Sequence, residues 1–481
     1  MAKNKSIKLN YIYNVSYQIL TMITPLITAP YLARVLNADG LGAYSYTASI
    51  VTYFLMFAAL GTINYGNREI SYLQTNRKER SKVFWEIELL SITSVLTCVA
   101  AYLVFTFVSH SEYRGLFLVQ LASLLAVAAD ITWLLQGLEE FGKVVGRNMV
   151  FKIINIAFIF LAVKSEKDLL IYIGGMCFIE FIGNASIWFY LPKFVDLPKI
   201  RELHPFRHLK PTVALFVPTI ASTIYINLDK TMLQQISGDI TENGYYDQAF
   251  KIYKLVLAVV TALGAVMIPR IGKCFSENKT DEMKGLLYRS YQFIWFLGFP
   301  LCFGLMGISR NFCPWFFGPG WEKVPYILII QSLLLPIIGI SNVTGVQYLI
   351  TTKRENLLTR SVCIGAVANL ILNLIFIPFF FSYGAAIASV ISELLITIIQ
   401  LWYVRNELNI KKILSLSLKY LFASLVMLAV LIGLNLIFPV GILYTITMVA
   451  IGGAIYVLLL FIMKDSMIME GKEMIINRIF K

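Results

Sequence analysis

The hydrophobic positions of this chain fall into long blocks rather than alternating or narrowly amphipathic runs. Crossing the hydrocarbon core of a bilayer takes roughly 20 apolar residues at 1.5 Å rise each. Read at that length, the sequence predicts fourteen spanning helices, at about 12–36, 42–66, 84–108, 114–136, 147–163, 168–190, 211–235, 245–269, 288–308, 325–350, 358–380, 384–404, 416–437 and 440–463. The expected fold class is an all-α integral membrane protein.

The polar positions inside these blocks carry the most information. In the first helix Asn14, Gln18, Thr21 and Thr28 recur at helical spacing, Pro25 and Pro30 interrupt it, and Arg34 sits near its far end. A tight turn at Asn37-Ala38-Asp39-Gly40 leads into the second helix. Polar groups in hydrocarbon cost free energy and normally face a protein interior or a wet cavity, so the first helix is expected to line a path. About 200 residues on, the seventh helix carries Thr223, Asn227, Lys230 and Gln234 on one face, with Asp229 beside them. The eighth carries Asp247, Lys251 and Lys254, followed by Ala258 and Thr261. Lys254 falls about 15 Å along its helix, near mid-membrane, where a lysine costs at least ~2.5 kcal/mol without a partner or water. Two readings stand for Asp247 and Lys251: an i,i+4 structural pair, or a pair facing a lumen. Lys152 of the fifth helix either reaches the inner mouth or snorkels to the interface. Asp130, Glu180 and Glu393 are isolated acids that either take up a proton or stay protonated as structural groups.

Composition changes the picture only by exclusion. With 58% hydrophobic and 14% charged residues and a mean hydropathy of +0.72, a soluble globular chain is excluded. The net charge of +13 does not point to nucleic acid, because the basic residues are scattered among short connections. Counted from an inside N-terminus, alternate connections hold 29 basic residues against 5 on the other side. That split predicts an even helix count with both termini cytoplasmic.

The longest inner connection carries Pro192, Pro198, Pro205 and Pro211 and divides the first twelve helices into two sixes. The expected organisation is a first lobe over 1–191, a linker over 192–210, a second lobe over 211–404, and two further helices with a tail over 405–481. His204 and His208 lie in that linker and read as part of a solvated connection. Asp39-Gly40-Leu41-Gly42-Ala43-Tyr44 and Glu242-Asn243-Gly244-Tyr245-Tyr246 open the second and eighth helices, and both helices end in Ala-Leu-Gly. This echo is either a parallel repeat or chance likeness between apolar helices.

No nucleotide-binding glycine loop, HExxH or CxxC occurs, and His110 also falls in a loop. Most of the six cysteines sit in apolar segments and read as inert buried thiols. Neither catalysis nor a cofactor or metal is expected. The ionisable residues within the blocks are mostly basic: Arg34, Lys152, Lys230, Lys251 and Lys254. A cationic lumen favours an anionic passenger, and arginine and lysine suit phosphate. The many Asn, Gln, Ser and Tyr side chains suit sugar hydroxyls.

Residues 14–71 contain Tyr17-Gln18, Pro25, Pro30-Tyr31-Leu32-Ala33-Arg34-Val35-Leu36, Gly40-Leu41-Gly42-Ala43-Tyr44 and Gly61 through Tyr65-Gly66-Asn67-Arg68-Glu69-Ile70. With Leu228-Asp229-Lys230, Gly244 through Ala249 and Ile268-Pro269-Arg270, this resembles the polysaccharide-synthesis flippases, the Wzx or RfbX-like branch of the multidrug/oligosaccharidyl-lipid/polysaccharide (MOP) exporter superfamily. Asn37 stands where that pattern has Gly, a tolerable turn substitution. The resemblance implies a V-shaped, MATE-like arrangement of two six-helix lobes plus two C-terminal helices, in a bacterial plasma membrane. It implies movement of undecaprenyl-pyrophosphate-linked oligosaccharide repeat units, of capsule, O-antigen or similar polymers, from the inner to the outer leaflet by alternating access. Membrane lipids and polysaccharide polymerase or assembly proteins would be its partners. Arg34 matches the family's first-helix arginine by position; for the lysines only a general cationic lumen carries over. A small-solute or multidrug antiporter of the same superfamily would favour buried acids, and a polysaccharide polymerase or ligase would carry a sizeable external loop.

Overall fold

The computed structural model describes residues 7–109, 112–198 and 200–470, without the side chains of 7–15, 200, 217, 218, 221 and 222. His110, Lys3, Lys5, Lys199, Lys472, Arg478 and Lys481 lie outside the described residues, as does the side chain of Asn14. Among the described residues, eleven helices are long and apolar enough to cross a membrane. Two of them are double, broken by one non-helical residue each. Counting both halves, and adding the helix at Leu209–Ser237, returns the fourteen segments read from the sequence. The chain divides into two compact units, Met1–Thr231 and Met232–Lys481.

The first unit holds α1 (Ile7–Ala59), α2 (Thr62–Tyr72), α3 (Arg77–Val108), α4 (Arg114–Ala128), α5 (Thr132–Gly137), α6 (Phe141–Ala162), α7 (Leu169–Ala185) and most of α8 (Leu209–Ser237). A straight helix of 53 residues would run about 80 Å, far beyond the bilayer core. Asn37, at φ 56° and ψ −177°, breaks α1, and asparagine is among the few side chains that visit positive φ readily. Tyr31 donates to the Val163 carbonyl at 2.6 Å and Tyr44 packs on Tyr172 at 5.5 Å. Both sides of the break therefore meet the α6–α7 connection, as a hairpin requires. The expected four-residue turn narrows to this single residue.

At the other end of the unit, Phe84 stacks on Trp133 at 5.3 Å and both are buried. Gly66 makes this possible, because a Cβ there would stand 2.4 Å from the indole. The linker is exposed along much of its length, His204 included, but His208 is not part of a solvated connection. Glu86 of α3, fully buried, accepts from the His204 amide at 2.9 Å, from Arg207, and from His208 Nε2 at 3.0 Å, and Tyr65 reaches His208 Nδ1 at 2.7 Å. His208 is 5% exposed. The earlier part of the linker is held by Arg77 on Asp196 at 2.7 Å and Arg80 on the Phe194 carbonyl at 2.8 Å. An acid one turn below a helix surface was not separable by sequence from a solvated one, and it recruits the histidine.

The second unit holds α9 (Ile240–Thr261), α10 (Leu263–Ser276), α11 (Thr280–Phe317), α12 (Val324–Ser332), α13 (Leu334–Ser341), a π-helical stretch Asn342–Ile350, α14 (Glu355–Val404), α15 (Ile410–Ser415), α16 (Leu418–Ile437) and α17 (Ile442–Ile462). The expected turn at Glu242–Gly244 is instead the buried first turn of α9, whose N-cap Asp239 accepts from the Thr241 amide at 2.9 Å. Helix α14 breaks at Phe381, φ 52° and ψ −128°, a costly conformation for a bulky residue. Buried Glu242 holds it, accepting from the Ser382 amide at 3.1 Å, from the Ser382 hydroxyl, and from Lys323. Burial would lower the Lys323 ammonium, but its hydrogen bond and charge contact with Glu242 outweigh this and raise it.

Near the start of α14, Arg354 grips Glu407 with two bonds of 2.7 and 2.9 Å, and Tyr348 donates to the same carboxylate. Burial pushes the Glu407 carboxyl up, yet these donors more than offset it and hold it below its ordinary value. A depressed carboxyl contributes stability that is fully present above its unfolded value, about 4.3, and is lost as pH falls through the lower folded value. The expected result is faster amide exchange over 350–356 below about pH 4. Glu407→Gln is expected to abolish that pH dependence; an unchanged acid limb in the variant would contradict it.

Candidate functional site

Helix α6 presents Asn148, Lys152 and Asn155, at i, i+4 and i+7, to a cavity of about 430 Å³ inside the first unit. Tyr17 and Tyr44 of α1, Asp130 and Gln136 beside and on α5, and Glu180 and Asn184 of α7 complete its polar walls. Arg147 Nη1 donates to Asn184 Oδ1 at 2.9 Å, Asn184 Nδ2 to the Ala126 carbonyl at 2.9 Å, and Ser123 to Glu180 Oε2 at 3.3 Å. Arg147 Nε and Asn155 Oδ1 are buried with no partner among the described residues. Ser123, Asp130, Glu180 and Asn184 also line a second cavity of about 410 Å³, whose other walls include Thr52, Asn64, Thr219 and Thr223. Four polar side chains thus form the partition between two spaces, and the charges near it balance: Arg147 and Lys152 against Asp130 and Glu180.

Of the residues singled out by sequence, Lys152 and the isolated acids Asp130 and Glu180 lie in this cavity; the other candidate cations do not. Arg147, read from the sequence as one of the basic residues of an inner connection, is instead a wall of the cavity on α6. Its signal was the polar spacing of Arg147, Asn148, Lys152 and Asn155, obscured by counting the first of these as loop. On α1, Gln18 and Thr21 are exposed, and Arg34 is exposed with Nη1 on the Pro30 carbonyl at 3.1 Å. The hydroxyls of Thr21, Thr24 and Thr28 donate to their own helix, to the carbonyls of Tyr17, Leu20 and Thr24 at 2.9, 2.7 and 3.0 Å. Such back-bonding satisfies a hydroxyl without an outside partner and tends to bend a helix, here around Pro25.

On α8, Asn227 donates to the Thr223 carbonyl at 2.9 Å, and Thr231 meets Ser49 at 2.9 Å and Tyr53 at 3.1 Å. Asp229 is buried, Lys230 half-buried, and Gln234 half-buried with a buried Oε1 that has no hydrogen-bond partner among the described residues. On α9, Lys251 pairs with buried Asp247 at 2.6 Å. Lys254 lies 5.3 Å over the Phe250 ring and 5.8 Å over Tyr253, a cation–π arrangement that lowers the cost of a charge in hydrocarbon. No cluster of three or more metal-ligating side chains occurs among the described residues.

Spanning helices with internal breaks, polar cavities and half-buried cations define a multi-pass membrane transporter, and solved structures share its fold. The lipid II flippase MurJ in an inward closed conformation matches with a TM-score of 0.76 at 20% identity, over 96% of this chain and 99% of that one. An inward-facing multidrug resistance MATE family transporter of the MOP superfamily matches with a TM-score of 0.68 at 12% identity, over 83% and 95%. The chain belongs to the polysaccharide biosynthesis protein family, whose profile matches residues 7–275. A protein of Escherichia coli K12 named for O-antigen transport is 26% identical over 85% of this chain and 99% of its own length. A Haloferax volcanii protein named for flipping in low-salt glycan biosynthesis, Agl15, is 25% identical over 35% of each chain. The chain is therefore a transporter of the polysaccharide biosynthesis family, not an enzyme.

Proposed function

We infer that this transporter moves undecaprenyl-pyrophosphate-linked oligosaccharide repeat units, of O-antigen, capsule or a similar polymer, from the inner to the outer leaflet of a bacterial plasma membrane. The observation that carries the reading is four lysines, Lys152, Lys230, Lys251 and Lys254, half-buried within membrane-length helices. A cation in hydrocarbon is retained where it has work to do on an anion, and a pyrophosphate is the anion common to lipid-linked glycans. In this reading Arg34 and the four lysines contact phosphate at successive stages of alternating access. Gln18, Thr21, Asn227, Asp229, Gln234 and Asp247, with Asn14, supply hydrogen bonds to hydroxyls or hold the cations in place. The isoprenoid stays in the bilayer while pyrophosphate and sugars cross. Both termini face the cytoplasm, and a polysaccharide polymerase takes the delivered unit. The lobes run over 1–191 and 211–404.

Reconstituted protein is expected to expose an added undecaprenyl-pyrophosphate oligosaccharide to a membrane-impermeant probe outside the vesicle. A charge-assisted contact is worth about 1.5–3 kcal/mol, so Lys152→Ala and Lys254→Ala are each expected to slow this by roughly tenfold or more. Wild-type rates in both variants, or transport of a cationic dye in place of the glycolipid, would overturn the reading.

A further inference from the structure

We propose that the second unit carries a lipid site at the end bearing the 318–323 loop: Arg310 binds the phosphodiester of an anionic phospholipid, and one acyl chain lies in the adjoining groove. The groove has a volume of about 430 Å³ and is bounded by α11, α12, α16 and the connection to α17. Its shape follows from the packing of α16 on α11. Gly307 lets the two helices touch, since a Cβ there would stand 2.7 Å from Leu431. Asn435 fastens the same crossing by donating to the Gly307 carbonyl. Beyond it, Asn311 donates to the Pro439 carbonyl at 2.9 Å and accepts from Thr445 at 2.7 Å, fixing the α16–α17 turn. Between these two fastenings the helices leave a gap floored by Met306 and Ile329.

The gap opens toward lipid. Ile432 is 53% exposed and Leu436 86% exposed on the α16 rim, as side chains facing hydrocarbon are. Arg310 lies seven residues, about 10 Å, before the end of α11 at Phe317. Half-buried Trp315 and exposed Tyr326 reach the surface near that depth, as aromatic side chains at a membrane interface do, while Phe316 and Trp321 are buried beneath them. The Arg310 guanidinium is exposed and stacks 5.3 Å over Tyr326. Among the described residues it has no carboxylate partner; the acids at this end are engaged elsewhere, Glu242 by Lys323 and Ser382 and Glu322 by the Gly320 amide. A fixed cation at headgroup depth beside an apolar slot is complementary to a phosphate with a chain attached. The guanidinium fork matches phosphate geometry, and the Asn435 and Asn311 amides mark the polar edge of the slot. Snorkelling alone would explain the arginine but not the slot beside it.

The test is native mass spectrometry of the full-length protein in detergent, titrated with phosphatidylglycerol or phosphatidylcholine. The wild type is expected to retain phosphatidylglycerol adducts through activation that strips phosphatidylcholine. Arg310→Gln is expected to lower the bound fraction at least fivefold, and Ile329→Trp, which fills the slot, to do the same while leaving the charge. Arg114→Gln is the control, because Arg114 also stacks on an aromatic ring, Phe107, at 5.7 Å; it is expected to bind as wild type. Unchanged binding in Arg310→Gln, equal loss in Arg114→Gln, or competition by inorganic phosphate alone would each overturn the proposal. So would retention of an undecaprenyl-pyrophosphate glycolipid with no phosphatidylglycerol. Melting curves of all variants separate these outcomes from misfolding. The site stands independently of the glycolipid reading, which the vesicle assay tests by a different readout.

Discussion

Glu86→Ala is expected to be the most damaging single side-chain truncation in the first unit, costing about 3–5 kcal/mol. The carboxylate is fully buried and accepts from three groups of the linker, the His204 amide, Arg207 and His208. Truncation leaves the His204 amide without its acceptor and His208 Nε2 with only the Arg207 Nε contact at 3.2 Å. Arg207, 46% exposed, turns to water and limits the loss. The start of α8 would then lose its fastening to α3 and keep only the Tyr65–His208 contact to α2, so the loss is expected as a lower melting temperature together with faster amide exchange over 204–212. Glu86→Gln keeps an acceptor for the amide and is expected to cost about half as much. A melting temperature for Glu86→Ala within a degree of wild type would show the linker to be held by something else.

Gly384→Ala is expected to have the second large effect, for a reason that is pure backbone. A helix would put residues 376 and 384 about 12 Å apart. Instead a Cβ on Gly384 would stand 2.4 Å from the Phe376 carbonyl oxygen, 2.6 Å from its carbon and 3.0 Å from the Ile377 nitrogen. These atoms cannot swing aside as a side chain can. The methyl must therefore open the reversal that Phe381 begins, and with it the contacts of Ser382 to Glu242. A cost at or above the upper end of ordinary overpacking, about 3 kcal/mol, is expected. Gly272→Ala is the matched comparison: nothing lies within 4 Å of its Cβ position, so it is expected to be neutral or to stabilise α10 by up to about 1 kcal/mol. Equal melting temperatures for the two variants would refute the backbone argument.

Much of this fold is legible in the chain because a bilayer tolerates so few alternatives. A backbone in hydrocarbon must satisfy its own hydrogen bonds, so each block of apolar residues becomes a helix of known length. That is why the fourteen segments fall on helices even where two share one continuous stretch. The Asn37 break was legible too, since asparagine in a short polar interval announces a turn. The break near Phe381 was read as well, from the gap between the segments ending at 380 and starting at 384, but what holds it was not: Glu242, from another helix, accepts from the Ser382 amide and hydroxyl and from Lys323 and keeps a phenylalanine at positive φ.

The site divides in the same way. Lysine within an apolar block made Lys152, Lys251 and Lys254 conspicuous, but only Lys152 lines the cavity, and of the two readings for Asp247 and Lys251 the structure shows the i,i+4 pair. Sequence missed Arg147, since an arginine just before a block looks like a loop charge until α6 is seen to begin at Phe141. It also misread His208, whose burial depends on an acid more than a hundred residues earlier. Membrane residence and helix count are therefore properties of the sequence alone, because they follow from transfer free energy and local spacing. The polar partition of Ser123, Asp130, Glu180 and Asn184, the Glu86 fastening and the Arg310 groove were decided only by tertiary structure. Each joins residues from separate helices, and no periodicity within one helix records which face of another it will meet.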